Sequence, residues 1–160
     1  MEFRLEVVVL PVTDVERAKA FYADQVGFPL DVDATPAPGM RVLQFTPRGS
    51  GCSIALGTGL SAMEPGSLKG LQLCVADVDE ERALLAGRGV PVSAVQHHDG
   101  TGFVDGRGED WNSWCFFDDP DGNSWAVQES PTMRAAAAGT LSRDGVAARP
   151  DRADDQVGGA

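Results

Sequence analysis

The sequence predicts an α+β fold made of two tandem copies of one strand–helix–three-strand unit. Three observations carry that prediction. The stretch Val12-Thr13-Asp14-Val15-Glu16 returns 63 residues later as Val75-Ala76-Asp77-Val78-Asp79. Each copy follows a short β-type run (Val7 to Leu10; Leu71 to Val75) and precedes a helix-like stretch ending in Val-Gly-Phe-Pro-Leu (26 to 30) or Arg-Gly-Val-Pro-Val (88 to 92). Each half then has a Pro-x-Gly turn opening an apolar run, Pro47-Arg48-Gly49 before Ile54 and Pro120-Asp121-Gly122 before Trp125. An internal repeat of this length marks two supersecondary units, neither able to bury its apolar face alone. Function is therefore expected where they meet.

In chain order, the first strand covers Val7 to Leu10. The first helix starts at Asp14, whose carboxylate can accept from free N–H groups, with Thr13 and Glu16 offering a capping box instead. Ala18, Phe21, Tyr22 and Val26 form a single apolar stripe on that helix, and Gly27 ends it. Leu30 to Val32 and Met40 to Phe45 read as strands around an Ala-Thr-Pro-Ala-Pro-Gly loop, with a further strand from Cys52 to Leu56. A linker covers about 58–67. The second helix starts at Asp77 and ends near Gly87 or Gly89. Val92 to His97, Trp114 to Phe117 and Trp125 to Gln128 complete the second set of strands. Asp119-Pro120-Asp121-Gly122-Asn123 is a strong turn signal, because proline presets φ and Gly or Asn tolerates positive φ. The modules are thus about 1–57 and 68–130, within one domain spanning 1–130. From Pro131 the composition turns to Ala, Gly, Ser, Arg and Asp without apolar period, which predicts a disordered tail over 131–160.

A length of 160 residues with 42% hydrophobic content is enough for one core. The net charge is -11, and the tail's four arginines and four aspartates cancel, so the whole excess lies on residues 1–130. An acidic body argues against nucleic acid and anionic membranes as partners, since phosphate binding needs clustered Lys and Arg. It suits neutral or cationic small ligands, although solubility alone accounts for it. The three cysteines, Cys52, Cys74 and Cys115, are odd in number and lie in apolar runs. They read as small core residues of a reducing compartment. Met1 to Leu10 has no basic segment followed by an apolar one, and no stretch is long enough to span a bilayer. A soluble cytoplasmic protein is expected.

With Val12-Thr13-Asp14-Val15-Glu16-Arg17-Ala18, Phe21-Tyr22, Val26-Gly27-Phe28, Gly89-Val90-Pro91-Val92 and Asp118-Asp119-Pro120-Asp121-Gly122-Asn123 in place, the chain resembles the vicinal oxygen chelate superfamily. That group includes glyoxalase I, bleomycin-resistance proteins, extradiol dioxygenases and fosfomycin-resistance enzymes. The resemblance covers about residues 4–130. It implies two βαβββ modules whose curved mixed sheets pair around a cup, usually completed by dimerisation, so a homodimer is expected. It also implies four metal-ligand positions, two per module: His or Gln seven residues before the capping aspartate, and Glu four residues past the turn glycine. Here they are Val7 and Gly70, then Ser53 (Ala55 if the strand carries one extra residue) and Ala126. None is His or a carboxylate. A divalent ion needs several converging N, O or S donors, and the only histidines, His97 and His98, are adjacent and point to opposite faces of a strand. No metal and no other cofactor is expected.

A metal-free cup must hold its ligand with apolar walls and a few aimed polar groups. Strand parity places Val7 and Val9 together on the cup face, and Ser124, Ala126 and Gln128 on one face opposite Trp125 and Val127. Gln128 is a candidate to orient a ligand, or a strand-end amide. Met40, Phe45 and Met63 are cup wall or core. The stretch from His97 to Trp114 holds four glycines and several acids, which predicts a long loop beside the cup. In it, Phe103, Trp111 and Trp114 are candidates to stack on a planar ligand, or core and interface residues. Arg107 is a candidate to hold an anionic group, and Asp105, Glu109 and Asp110 to meet a cation. His97 and His98 are weak catalytic candidates as general bases. The leading reading is a dimeric cup that binds or sequesters a small aromatic or cationic molecule. The alternatives are a metal-free enzyme using the 97–110 loop for acid–base chemistry, and a metal-dependent lyase or dioxygenase.

Overall fold

The computed structural model describes residues 1–139. Two sheets follow the two halves of the chain. In the first, β1 (Val7–Val9), β2 (Leu30–Ala37), β3 (Met40–Phe45) and β4 (Ser53–Thr58) lie in the order β1-β4-β3-β2. In the second, β5 (Leu71–Val75), β6 (Gln96–His98), β7 (Phe103–Asp105), β8 (Trp114–Asp118) and β9 (Ser124–Glu129) lie in the order β5-β9-β8-β6-β7. The repeat is visible in the ladders: β1 runs parallel to β4 and β5 parallel to β9, while the remaining pairs are antiparallel. The architecture is the α+β tandem βαβββ fold that the sequence predicts.

Both helices begin where aspartates can cap them. Asp14 accepts from the Glu16 and Arg17 amides at 3.0 Å each, opening α1 (Val15–Ala20), which continues as a π-helical turn over Phe21–Val26. Gly27, at φ 85°, takes the left-handed conformation that ends it. Asp77 accepts from Asp79 and Glu80 at 2.9 and 3.0 Å, opening α2 (Val78–Gly87).

All of these helices cover one side of the sheets. Leu43, Phe45, Ile54, Leu56, Cys115, Phe117, Trp125 and Val127 face them and join Phe21, Tyr22, Val26, Val78 and Leu85 in one core shared by both modules. Between the sheets an apolar crevice of about 260 Å³ lies against Val8, Ile54, Leu71, Leu73 and Trp125. The seam is closed by the Asp119–Asn123 turn. Tyr22 Oη donates to Asp119 Oδ2 (2.8 Å), Asn123 Nδ2 donates to Pro11 O (3.0 Å), and Thr13 and Arg17 both donate to Asp121 Oδ1. Thr13 thus ties the modules together instead of forming a capping box. Gly66, at φ 74°, runs so close to Asp121 O that a Cβ would stand 1.9 Å from it. The turn signal read in the sequence is therefore a latch between the modules.

Five expectations need correction. The Ala-Thr-Pro-Ala-Pro-Gly segment, 34–39, is only partly loop: β2 extends to Ala37, and its Pro36 is tolerated because β2 is an edge strand with N–H groups free to face outward. The glycine-rich stretch after His97 is not all loop either, because β6 and β7 form a hairpin there. Asp99 Oδ1 turns it by accepting from Thr101 N, Thr101 Oγ1 and Gly102 N, which holds that carboxyl down to about 2. Of the strand expected over Val92 to His97 only Gln96 and His97 are paired, in β6, which runs on to His98. Of the cysteines only Cys115 is core; Cys74 is exposed and Cys52 partly so. The tail does not begin as disorder, since Pro131–Ala137 forms a helix, α3, whose Ser130 side chain accepts from Met133 N and whose first residue is proline. The rest of the expected tail, 140–160, lies outside the described residues.

Candidate functional site

The candidate site is the sheet face turned away from the helices. Burial alternates along the strands that bear it: Leu43 and Phe45 are buried while Met40, Val42 and Gln44 are only partly so, and Cys115 and Phe117 are buried while Trp114 and Phe116 are partly exposed. Residues paired across a ladder point the same way. The register of Val7 with Ser53 and Val9 with Ala55 therefore puts these four on the open face of the first module. Val32 and Gln44 are partners and join them. In the second module Gln72 pairs with Ala126 and Trp114 with Gln128, so these share the open face with Phe116 and Ser124.

An aromatic platform dominates the second module's open face. Gln96 pairs with Trp114, and His98 with Phe103, which brings the β6–β7 hairpin onto the same side. Trp114 and Phe116 lie parallel with centroids 6.4 Å apart, Phe103 stands edge-on to both at 6.4 and 5.0 Å, and His98 stands edge-on to Phe103 at 5.4 Å. Phe103 is 48% exposed, so this is apolar ring surface presented outward. Trp111, 49% exposed, stands at its border, where its carbonyl accepts from Gln128 Nε2 at 2.5 Å. On the first module, Gln44 Nε2 donates to Ser53 Oγ at 3.3 Å and the Thr46 hydroxyl lies 2.8 Å from the same oxygen.

The structure keeps most of the expected site residues on this face and removes three. Val7, Val9, Met40, Phe103, Trp111 and Trp114 are on or beside it. Phe45 is not wall: it is fully buried among the helices, its ring 6.0 Å from that of Tyr22. Arg107 is not available to an anionic ligand. It points to the α2 N-terminus, paired with Asp79 and Glu129, and those carboxylates raise its pKa further. Gln128 is on the open face but buried, its amide occupied by Trp111 O and by Gln72, whose Nε2 donates to Gln128 Oε1 at 2.6 Å. Met63 lies outside the sheets, exposed in the segment between the modules. Asp105 and Asp110 are also engaged, by Gln96 and by Arg134.

The two histidines diverge as strand geometry requires. His97 Nδ1 lies 3.1 Å from Gly106 O, and because a carbonyl only accepts, that nitrogen carries the proton. His98 Nδ1 accepts from Gly100 N at 3.1 Å, so its neutral ring is protonated on Nε2. Neither imidazole is hydrogen-bonded to a carboxylate among the described residues; the Gly106 carbonyl alone orients His97 and leaves its Nε2 unprotonated. Phe116 escaped the sequence reading: every residue from Trp114 to Phe117 is apolar, so period-2 alternation is silent there. Its parity becomes visible only through the pairing with Ala126.

The four positions implied for a metal do not converge as counted. Val7 and Ser53 are register partners, but Gly70 precedes β5, and the side chain beside Ala126 is Gln72. The paired positions Val7, Ser53, Gln72 and Ala126 thus offer one hydroxyl, one amide and two aliphatic side chains, with no imidazole or carboxylate among the four. Among the described residues no three His, Cys, Asp or Glu side chains are grouped to hold an ion. This donor set does not fit a divalent metal.

Comparison with known proteins gives a consistent result. Residues 4–127 match the model of the Glyoxalase/Bleomycin resistance protein/Dioxygenase superfamily. Among solved structures, the chain is similar to TnmS3, an antibiotic binding protein from Streptomyces sp. CB03234. They share 35% identity over 81% of this chain and 97% of that one, with a TM-score of 0.66. A glyoxalase/bleomycin resistance protein from the same strain shares 36% identity over 78% of this chain and 99% of its own, with a TM-score of 0.63. A member of the superfamily from Sphaerobacter thermophilus DSM 20745 shares 27% identity over 81% and 98%, with a TM-score of 0.64. No curated protein matches.

Proposed function

This chain belongs to the Glyoxalase/Bleomycin resistance protein/Dioxygenase superfamily, and on that premise we propose that it is a cytoplasmic binding protein whose open sheet faces hold a planar aromatic, preferably cationic, small molecule without a metal. The observation that carries this reading is the run of rings His98, Phe103, Trp114 and Phe116 on one exposed face. Stacking on such surface buries large area at low entropic cost, and aromatic faces attract cations. The body's net charge of -11 favours the same ligands. Similarity to TnmS3, itself an antibiotic binding protein, supports the same class.

Two copies complete the cup. Val7, Val32, Phe103 and Trp111 are each 37 to 49% exposed on or beside the open faces, an apolar surface that a second copy would cover. In this arrangement the platform of one chain faces the Val7, Val9 and Val42 wall of its partner, and the ligand lies between them. The vacated ligand positions leave binding, rather than Lewis-acid chemistry, to the residues present.

The reading is tested by titrating 9-aminoacridine, a planar cation, and naphthalene-1-sulfonate, a planar anion, while following tryptophan emission. Saturable quenching by the cation at micromolar concentration, unaffected by EDTA and lost in Trp114→Ala, is the expected result. No quenching by either compound, or quenching abolished by EDTA and restored by a divalent ion, overturns it.

A further inference from the structure

Trp111 is the only non-glycine residue with positive φ among the described residues, at 64°. A large side chain with a Cβ is disfavoured there, so the conformation persists only where its surroundings hold it, and such residues gather at functional sites. Two sets of ties flank it. On one side, its carbonyl accepts from Gln128, and Asn112 makes a pair of hydrogen bonds with the His98 backbone, both at 2.9 Å. On the other side the preceding residue, Asp110, is held by Arg134 Nη2 at 2.7 Å.

Arg134 belongs to α3, and its other nitrogen donates to Glu129 Oε1, also at 2.7 Å. Glu129 is buried, and its second oxygen accepts from Arg107 and from the Val78 amide. Consecutive residues of β9 thus reach the 106–113 loop from opposite faces: Gln128 on the open face grips the Trp111 carbonyl, and Glu129 on the helix side anchors Arg107 and, through Arg134, Asp110. A buried carboxylate with a guanidinium partner on each oxygen is a rigid anchor, because charge-assisted hydrogen bonds fix it from both sides.

We propose that Arg134 is a positioning residue for the ligand site: α3 acts as a strap that keeps Trp111 in its left-handed conformation, ring outward at the edge of the platform. Pre-organisation of this kind strengthens binding by removing an ordering cost from the binding step. The proposal rests on the open face being the ligand site, and it makes the helix after the last strand a determinant of affinity although it bears no platform residue.

The test is a double-mutant cycle on the full chain with 9-aminoacridine as the probe. Arg134→Ala is expected to weaken binding about fivefold, the scale of a partly exposed ion pair coupled to a two-state side chain, and to change nothing further in a Trp111→Ala background. Asp110→Asn, which leaves Glu129 and its charge balance untouched, should weaken binding in the same direction and serves if the arginine variant folds poorly. Equal losses from Arg134→Ala with and without Trp111, or no loss where Trp111→Ala alone weakens binding, overturn the strap. Failure of the parent protein to bind the probe overturns the cup reading itself.

Discussion

Tyr22 shows how single side chains hold the two modules in place. Its hydroxyl donates to Asp119 and accepts from Trp125 Nε1 at 3.1 Å, and burial together with the nearby carboxylate pushes its pKa far above the usual phenol range. Tyr22→Phe leaves two buried polar groups short of a partner, and the expected cost is about 1–3 kcal/mol, read as a lowered midpoint in denaturant unfolding. An unchanged midpoint would show that the latch does not bear on stability. Cysteine chemistry separates by the same logic. Burial raises the Cys115 thiol to about 11, whereas Cys74 is exposed. At pH 8 only roughly one Cys115 in a thousand is thiolate, so iodoacetamide followed by mass mapping is expected to label Cys74 and spare Cys115 until the protein is unfolded. At this scale the sequence showed parity wherever polar and apolar residues alternate, as at Ser124 to Gln128. It was silent where all were apolar, and it could not show that Arg107 and Gln128 are engaged by groups distant in the chain.

Among the elements, helix starts and the strand repeat were legible because each has a local cause: a capping aspartate, a ring-bearing stripe, a terminal glycine. The length of β2 and the β6–β7 hairpin were not, since pairing with a neighbour and a side-chain-built Asp99 turn decide them; α3 was not either, because its Ser130 cap and Pro131 open a stretch with no apolar period. The β2–β3 hairpin also carries a pH dependence. Lys19 and Arg41 both bind Asp33, and those hydrogen bonds, Arg41's first, hold its carboxyl well below the usual range. A depressed carboxyl contributes stability that is complete above its unfolded pKa and lost as pH falls through the folded one. Asp33→Asn is therefore expected to be slightly less stable than the parent at pH 7, with the gap closing as pH is lowered below about 4. Thermal melts across that range would show it, and a gap independent of pH would contradict it.

At the scale of the whole molecule, a shared core and the Asp119–Asn123 latch set two sheets side by side with every helix on one side. The other side is left open, and it is the face proposed to take a ligand and a second copy. Sedimentation equilibrium is expected to give twice the chain mass, and Val32→Lys, placing charge on the exposed first-module face, to shift the protein toward monomer; a parent already monomeric at tens of micromolar would contradict the shared cup. The general place of the candidate site was legible in the repeat, since the open faces follow from it. The platform was not, because it needs β6 and β7 folded back on β8. The most direct measurement of the central claim is calorimetric titration of 9-aminoacridine into EDTA-treated protein and into the Trp114→Ala/Phe116→Ala variant. Saturable heat with one site per chain in the parent, absent from the variant, is the expected result; no heat in the parent, or equal heat in both, would contradict it.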